Sequence, residues 1–205
     1  MPGEISHVIY AARVLTNVSD QVKDPLYWVG TLLPNIGKLG AKSRFPLHPR
    51  NVSLYSLLGQ SDFATGMRVH AWMDETFGQY WETQRVADKL PWNPLTRIAY
   101  KLIEDQELYD HFDDWNLIHR LINKVNDEEL KLVQDKSVIE KWHSTLQDYV
   151  SDQPSDASRK KFLCSLGVSR KLADEINVVV TQLYKKEEVH QAMHEAWRNV
   201  EDLLM

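Results

Sequence analysis

The sequence predicts an all-α fold, a multi-helix bundle, from the spacing of its apolar residues and the rarity of its breaks. Apolar residues recur every three or four positions along most of the 205-residue chain, as they do in amphipathic helices. The turn-rich breaks between these segments are too few and too far apart for a β-sandwich or a barrel. With 43% apolar and 26% charged residues, the composition is typical of a globular domain with a sizeable core.

The first helix is predicted over residues 4–17, where Ile5, Val8 and Ile9 begin an apolar face. Because few of its residues are polar, this helix is expected to be buried on most sides. From about residue 18 to residue 60 the helical pattern is interrupted, which predicts a long Pro/Gly-containing loop region between the first and second main helices. The interrupting residues are Pro25, Gly30, Pro34, Gly37, Gly40, Pro46 and Pro49.

The second main helix is predicted to begin at Ser61 or Asp62, either of which suits an N-cap, and to end near Arg85. A third helix is predicted from Asn93, as its N-cap, to about Val125. A proline follows Asn93, at the first helical position, where its missing N–H has no intrahelical partner to lose.

The remainder of the chain is predicted to form helical stretches at about 127–150 and 156–204. Gly167 is expected to split the second stretch into a short helix and a long one. We therefore predict a helical core domain over residues 1–150, which carries the candidate site. Residues 151–205 are predicted to be a C-terminal helical extension packed on that core.

Composition and motifs exclude several classes of function. The net charge of −5 supplies no field that would attract nucleic acid, so no nucleic-acid partner is expected. Since the chain has neither a secretory leader nor ~18 consecutive apolar residues, we expect no transmembrane segment and a cytoplasmic location. The single cysteine, Cys164, excludes an intramolecular disulfide and cysteine-rich zinc sites. Neither GxGxxG nor GxxxxGK[ST] occurs, which argues against the usual nucleotide folds.

The second helix contains the most informative pattern in the chain. Residues at helical spacing form an apolar stripe interrupted by an imidazole and a carboxylate: Phe63, Met67, His70, Asp74, Phe77 and Trp81. Burial of either polar group without a partner would cost about 2 kcal/mol or more. His70 and Asp74 lie four residues apart and present N and O donors to one point, an arrangement suited to zinc or another borderline divalent ion. Alternatively, they form a hydrogen-bonded pair that orients two helices.

Other titratable residues are candidates because of where they lie. His7 lies in the most apolar helix and needs a partner, either a metal ion or a backbone carbonyl. His48 lies between Pro46 and Pro49, on a stiff loop that either aims its ring at a site or leaves it exposed. Asp105 lies on the apolar face of the third helix, and His111 is a reserve candidate. We interpret the other histidines and Cys164 as ordinary surface or packing residues.

Four features follow one another in the first 82 residues, about 40% of the chain. They are the opening MPGEISH before an apolar helix, the segment GTLLPNI at residues 30–36, His48, and the pattern Gly66-xxx-His70-xxx-Asp74. This order resembles the bacterial zinc-dependent phospholipase C family. The acyl carrier protein phosphodiesterases have a similar order of an early histidine, a Leu-Leu segment and a helix with His and Asp, so they are a second resemblance.

The resemblance implies an all-α, metal-dependent phosphoesterase with a divalent ion, zinc, held by His7, His48, His70 and Asp74. If this site is intact, metal chemistry gives the mechanism: the ion activates a bound water for hydrolysis, and a nearby carboxylate, with Asp74 or Asp105 as the candidates, serves as the general base. The expected substrate is a small-molecule or lipid-like phosphoester.

The chain departs from the family in ways that keep a second function open. Asn35 stands where the family usually has aspartate, and Gly78 stands where a further histidine often follows. The secreted enzymes of the family also use an N-terminal amine exposed by processing, whereas no signal to be removed is expected in this chain. An amide is a weaker ligand and does not bridge two cations as a carboxylate does. The alternative is a non-catalytic helical binding or scaffold protein that retains the fold with a degenerate metal site.

Overall fold

The computed structural model describes residues 3–18, 25–42, 47–53, 61–83 and 90–204, and these residues form ten α-helices and no β-strand. The all-α prediction is therefore confirmed. The helices are α1 Glu4–Val18, α2 Leu26–Leu32, α3 Asp62–Thr83, α4 Pro94–Leu108, α5 Trp115–Leu121, α6 Asp127–Leu132, α7 Lys136–Val150, α8 Asp156–Ser165, α9 Arg170–Leu183 and α10 Glu187–Leu204. Two 3₁₀ helices, Leu33–Leu39 and Tyr109–His111, follow α2 and α4.

The region predicted as a long loop contains regular structure in its first half, because α2 and the 3₁₀ helix Leu33–Leu39 lie within it. Pro34 sits in the first turn of the 3₁₀ helix, where a backbone N–H is not required. Gly40 ends this helix at φ 74°, a left-handed conformation that glycine adopts without a steric cost. Residues 19–24, 43–46 and 54–60 of the predicted loop lie outside the described residues.

The third predicted helix is divided, so the prediction of one helix to Val125 was wrong. Asn93 caps α4 as expected, since its side chain accepts hydrogen bonds from two backbone N–H groups of the first turn. The chain leaves the helical conformation at Phe112, and the side chain of Asp114 then caps α5 by accepting from the N–H of Leu117 at 2.9 Å. Apolar spacing continues across this break, which conceals it in the sequence.

The predicted stretch 127–150 is also divided, because the side chain of Asp135 accepts from the N–H of Ser137 and begins α7. Gly167 separates α8 from α9 at φ 87°, as expected. A second break between α9 and α10 makes three helices of 156–204. For the second main helix, the predicted end near Arg85 lies outside the described residues.

Helices α2 and α3 approach each other closely, and glycine at two positions permits it. A Cβ atom at Gly66 would lie 2.0 Å from the carbonyl oxygen of Tyr27, and one at Gly30 would lie 2.1 Å from that of Phe63. Any side chain at these positions would force the two helices apart. The contact places Thr31, near the end of α2, against the middle of α3.

The helices share one hydrophobic core that includes residues before and after position 151. The rings of Tyr10 and Trp197 lie 5.0 Å apart between α1 and α10, and the indole N–H of Trp142 donates to the carbonyl of Leu32 at 3.1 Å. The division into core domain and extension stays a prediction. Among the described residues, no helix combines the length and apolar character that crossing a bilayer requires.

Candidate metal centre

Three of the predicted ligands come together at the contact between α1 and α3. One ligand atom each from His7, His70 and Asp74 lies within 4.8 Å of the others. The two imidazole rings stack with their centroids 3.8 Å apart and their planes 7° from parallel. Both histidines are buried, whereas Asp74 keeps 13% of its side chain exposed. The group therefore lies just beneath the surface, with the carboxylate toward solvent.

Backbone carbonyls orient both imidazoles. The Nδ1 atom of His7 donates to the carbonyl oxygen of Gly3 at 2.6 Å, and that of His70 donates to the carbonyl oxygen of Thr31 at 2.7 Å. A proton on Nδ1 leaves the lone pair on Nε2. Metal-ligating histidines are commonly fixed in this way by a bond from the other ring nitrogen. The carbonyl partner predicted for His7 as an alternative to a metal is thus present together with a free Nε2 atom.

With each imidazole neutral and its proton on Nδ1, the atoms that face one another at the centre of the group are all acceptors. The Nε2 atoms of His7 and His70 and the Oδ1 atom of Asp74 are buried without a hydrogen-bond partner in the described part of the chain. His7 Nε2 lies 3.2 Å from Asp74 Oδ1, and His70 Nε2 lies 3.7 Å from Asp74 Oδ2. Two acceptors in contact do not satisfy each other, and each unsatisfied buried group costs about 1–3 kcal/mol. A cation among them would satisfy all three.

The protonation states match this interpretation. Burial acts to raise the pKa of Asp74, but the interaction with His7, as a hydrogen bond and as a charge, lowers it by more, so the pKa lies below its ordinary value. A proton shared between His7 and Asp74 and a cation bound to both are therefore alternative ways to join this pair. Burial, together with the neighbouring His7, holds the pKa of His70 well below 6.5. At neutral pH the group therefore offers one anionic carboxylate and a neutral imidazole, the donor types that zinc takes in the absence of cysteine.

His48, the fourth predicted ligand, lies at the solvent side of this group. Its Nε2 atom is 3.6 Å from Asp74 Oδ2, and its ring centroid is 5.0 Å from that of His70. Its side chain is 44% exposed, and burial lowers its pKa. All four predicted ligands therefore lie in one place, although only three form the compact group.

Asp105, the second predicted base, is bonded to the start of α1. Its Oδ1 atom accepts from the backbone N–H and the hydroxyl of Ser6, both at 2.8 Å, and its Oδ2 atom accepts from the hydroxyl of Tyr149 at 3.0 Å. A Cβ atom at Gly3 would lie 2.3 Å from both carboxylate oxygens. Burial raises the pKa of Asp105 to about 6. These contacts fix the first turn of α1, which carries His7, and a role as general base stays a prediction.

A second polar group beside the centre was missed in the sequence. Glu4, one turn before His7 on α1, is buried, and its carboxylate accepts from the side-chain amide of Asn35 at 2.9 Å and from the ammonium of Lys38. Burial acts to raise the pKa of Glu4, but Lys38, with help from His7, keeps it below its ordinary value. The signal was an acidic residue in a helix expected to be almost wholly buried.

The remaining histidines lie apart from this centre. The ring of His111, the reserve candidate, lies 5.4 Å from that of Trp197 at a 66° angle. His143 Nε2 lies 2.7 Å from a carboxylate oxygen of Glu129, and both residues are buried. His190 donates from Nε2 to the carbonyl of Tyr184 at 2.6 Å. Each of these three imidazoles therefore has a partner in the protein and needs no metal ion.

No family model matches the chain, and comparisons with the curated proteins and with the solved structures gave no significant match. Fold and site together define an all-α protein with a candidate divalent-metal centre at His7, His70 and Asp74.

Proposed function

We propose that this protein is a metal-dependent phosphoester hydrolase that resembles the zinc-dependent phospholipases C, with a divalent ion, zinc, at His7, His70, Asp74 and His48. The observation that carries the proposal is the set of three buried side-chain atoms, His7 Nε2, His70 Nε2 and Asp74 Oδ1, that face one another without a hydrogen-bond partner among the described residues. Backbone carbonyls bind the opposite nitrogen of both buried histidines, as they do around ligating imidazoles.

The residues divide the chemistry among them. A bound divalent ion supplies Lewis acidity, which lowers the pKa of a coordinated water and withdraws charge from a phosphoryl oxygen. His7 and His70 would hold the ion, with His48 as a further ligand from the exposed side. Asp74 is ionised at neutral pH and lies at the surface of the group, so it is placed to accept a proton from the attacking water. In this proposal Asp105 acts through Ser6 by fixing the turn that carries His7.

The substrate is a small-molecule or lipid-like phosphoester. The cytoplasmic location and the lack of a nucleic-acid partner stay predictions from the sequence.

The second candidate function is a non-catalytic helical binding or scaffold protein with a degenerate metal site. It is favoured by Asn35, since an amide stands where the resembling family has a carboxylate and donates its N–H to Glu4 instead. In such a protein the stacked histidines and Asp74 would serve packing alone.

Metal analysis of protein purified without a polyhistidine tag separates these functions. We expect close to one zinc, manganese or iron ion per chain in the wild type, and its loss in the His70→Ala and Asp74→Ala variants. His194→Ala is the matched control, because His194 is exposed and lies outside the group. Folded wild-type protein that binds no ion under metal-replete conditions would contradict the proposal.

Hydrolysis is then measured on generic phosphomonoesters and phosphodiesters with each ion added. We expect turnover by the wild type and the His194→Ala control, and none by Asp74→Ala. A metal-loaded wild type that cleaves no ester would favour the scaffold function.

A further inference from the structure

Two lysines, Lys38 and Lys101, lie near the candidate metal centre, and neither is one of the proposed metal ligands. Lys38 lies in the 3₁₀ helix after α2. Lys101 lies on α4, one turn before Asp105, whose carboxylate accepts hydrogen bonds from Ser6 next to His7. Both are close enough to influence the centre electrostatically, Lys38 at His48 and Lys101 at Asp74.

Lys38 is partly exposed to solvent and pairs with a buried carboxylate. Its ammonium pairs with the carboxylate of Glu4, whose side chain is only 1% exposed, while its own side chain is 32% exposed. An ammonium has three donors, and the contact with Glu4 uses one side of it. The remaining donors are available to an anion that approaches from solvent.

Lys101 has no such partner. Within the described residues its ammonium makes no hydrogen bond or salt bridge, although the side chain is half-buried. Burial lowers the pKa of Lys101, and the positive charge of Lys38 lowers it further against the pull of nearby carboxylates. Lys38 and Lys101 influence each other electrostatically and only Lys38 is paired, so together they favour an anion beside them.

The charge on this side of the centre also suits an anion. With a divalent ion in place, Asp74 neutralises only part of its charge, and Glu4 is already matched by Lys38. Lys101 also faces the charge of Asp105, and a divalent ion with the two ammonium groups outweighs the three carboxylates of Glu4, Asp74 and Asp105, so the site is left positive. A phosphomonoester carries two negative charges near neutral pH, whereas a phosphodiester carries one, so the arrangement favours the monoester.

We propose that Lys38 and Lys101 bind the phosphoryl oxygens of the substrate and hold a dianionic phosphate group, that of a phosphomonoester, against the centre formed by His7, His70 and Asp74. This inference rests on the proposed function, because the phosphate group is placed at the metal centre assigned there. The lysines donate hydrogen bonds and charge to oxygens that do not leave, and so position the phosphorus atom for attack by water.

Calorimetric titration of the full-length, zinc-loaded protein with inorganic phosphate tests the inference. We expect Lys38→Gln and Lys101→Gln each to weaken phosphate binding about tenfold or more, as the loss of a charged hydrogen bond does. Lys136→Gln is the control, since Lys136 is exposed and pairs with Glu140 on α7. Zinc content is measured for every variant and is expected to stay at the wild-type value.

The outcomes separate the two proposals. A wild type that binds no zinc overturns the proposed function. Zinc-loaded protein that does not bind phosphate, or binds it equally well in both lysine variants, overturns the present inference and leaves the metal centre intact. If Lys38→Gln does not fold, Lys101→Gln decides, together with Lys38→Arg, which is expected to retain binding.

Competition by two esters tests the preference for a dianion. Phenyl phosphate is expected to displace inorganic phosphate from the wild type at a lower concentration than diphenyl phosphate does. Equal displacement by the two esters would overturn the monoester assignment.

Discussion

The Nδ1 atom of His70 donates to the carbonyl oxygen of Thr31 at 2.7 Å, and this bond joins α3 to α2 at the metal centre. Thr31 is one residue from Gly30, where the two helices touch through their backbones. The orientation of the imidazole therefore depends on how closely the helices approach. A substitution at the glycine contact should therefore change the orientation of the His70 ring.

Substitution of Gly66 by alanine is expected to weaken both the fold and the metal site. The added Cβ atom would lie 2.0 Å from the carbonyl oxygen of Tyr27, so α2 must move away and carry Thr31 with it. We expect a loss of stability of about 1–3 kcal/mol or more, as for overpacked cores, and a lower zinc affinity. Urea unfolding and zinc titration measure the two effects.

Gly78 provides the control in the same helix. A Cβ atom there would meet no described atom within 4 Å, so Gly78→Ala is expected to raise stability by up to about 1 kcal/mol through helix propensity. If Gly66→Ala and Gly78→Ala proved equally stable, the close contact of α2 and α3 would not be needed.

Asp74→Asn is expected to separate metal binding from packing. The amide keeps the shape of the side chain and offers an N–H to an imidazole nitrogen where Asp74 Oδ1 now faces His7 Nε2. Zinc at 100 times its dissociation constant is expected to stabilise the wild type by about 2.7 kcal/mol and the variant much less. Thermal unfolding at pH 8, with zinc and with a chelator, gives the comparison. A variant stabilised by zinc as strongly as the wild type would show that Asp74 is not a ligand.

Asp105→Asn distinguishes a positioning role from a role as general base. An amide places a donor against the hydroxyl of Ser6 or that of Tyr149, so we expect stability to fall by about 1–3 kcal/mol and zinc affinity to fall with it. If Asp105 were the general base, its replacement would instead lower the turnover number and leave stability and zinc affinity unchanged. Unfolding curves, zinc titration and the pH profile of turnover are measured on the same preparation.

Stability is expected to depend on pH through Glu104. Burial raises the pKa of this carboxyl from 4.5 to about 7, while its oxygen accepts from the hydroxyl of Tyr10 at 2.8 Å. A pKa raised in the folded state gives a stabilising contribution that is complete below the unfolded pKa and is lost as pH rises through 7. At 1.36 kcal/mol for each unit of pKa, the change amounts to roughly 3 kcal/mol.

Urea unfolding of the wild type and of Glu104→Gln at pH 5 and pH 8 measures this effect. Between pH 5 and pH 8 the wild type is expected to lose unfolding free energy relative to Glu104→Gln, because only the wild type loses the contribution of Glu104. Glu140→Gln, at an exposed position on α7, should show no such shift. A constant difference for Glu104→Gln would contradict the raised pKa.

The sequence predicted the parts of the structure that depend on local spacing. The all-α class follows from helical periodicity, and the neighbouring positions of His70 and Asp74 follow from a separation of four residues on one helix. The order of His7 and His48 before them came from a family resemblance. The structure brings all four side chains together.

The parts that could not be predicted depend on contacts between distant segments. The pairing of Glu4 with Lys38 requires the side chains of the 3₁₀ helix to reach the start of α1, and helical periodicity does not report such a contact. The break at Phe112 was missed because apolar spacing runs across it, whereas the cap at Asp114 depends on one side chain. Local patterns therefore locate the ligands, but not the polar residues that surround them.

The segment from Thr31 to Lys38 serves both sides of the centre, since Thr31 binds His70 while Asn35 and Lys38 bind Glu4. Its length is therefore under constraint. A 3₁₀ helix has three residues in each turn, so one inserted residue after Thr31 would rotate the following side chains by about 120°. Asn35 and Lys38 would then point away from α1. Among natural variants of this chain, the segment should tolerate substitution but neither insertion nor deletion.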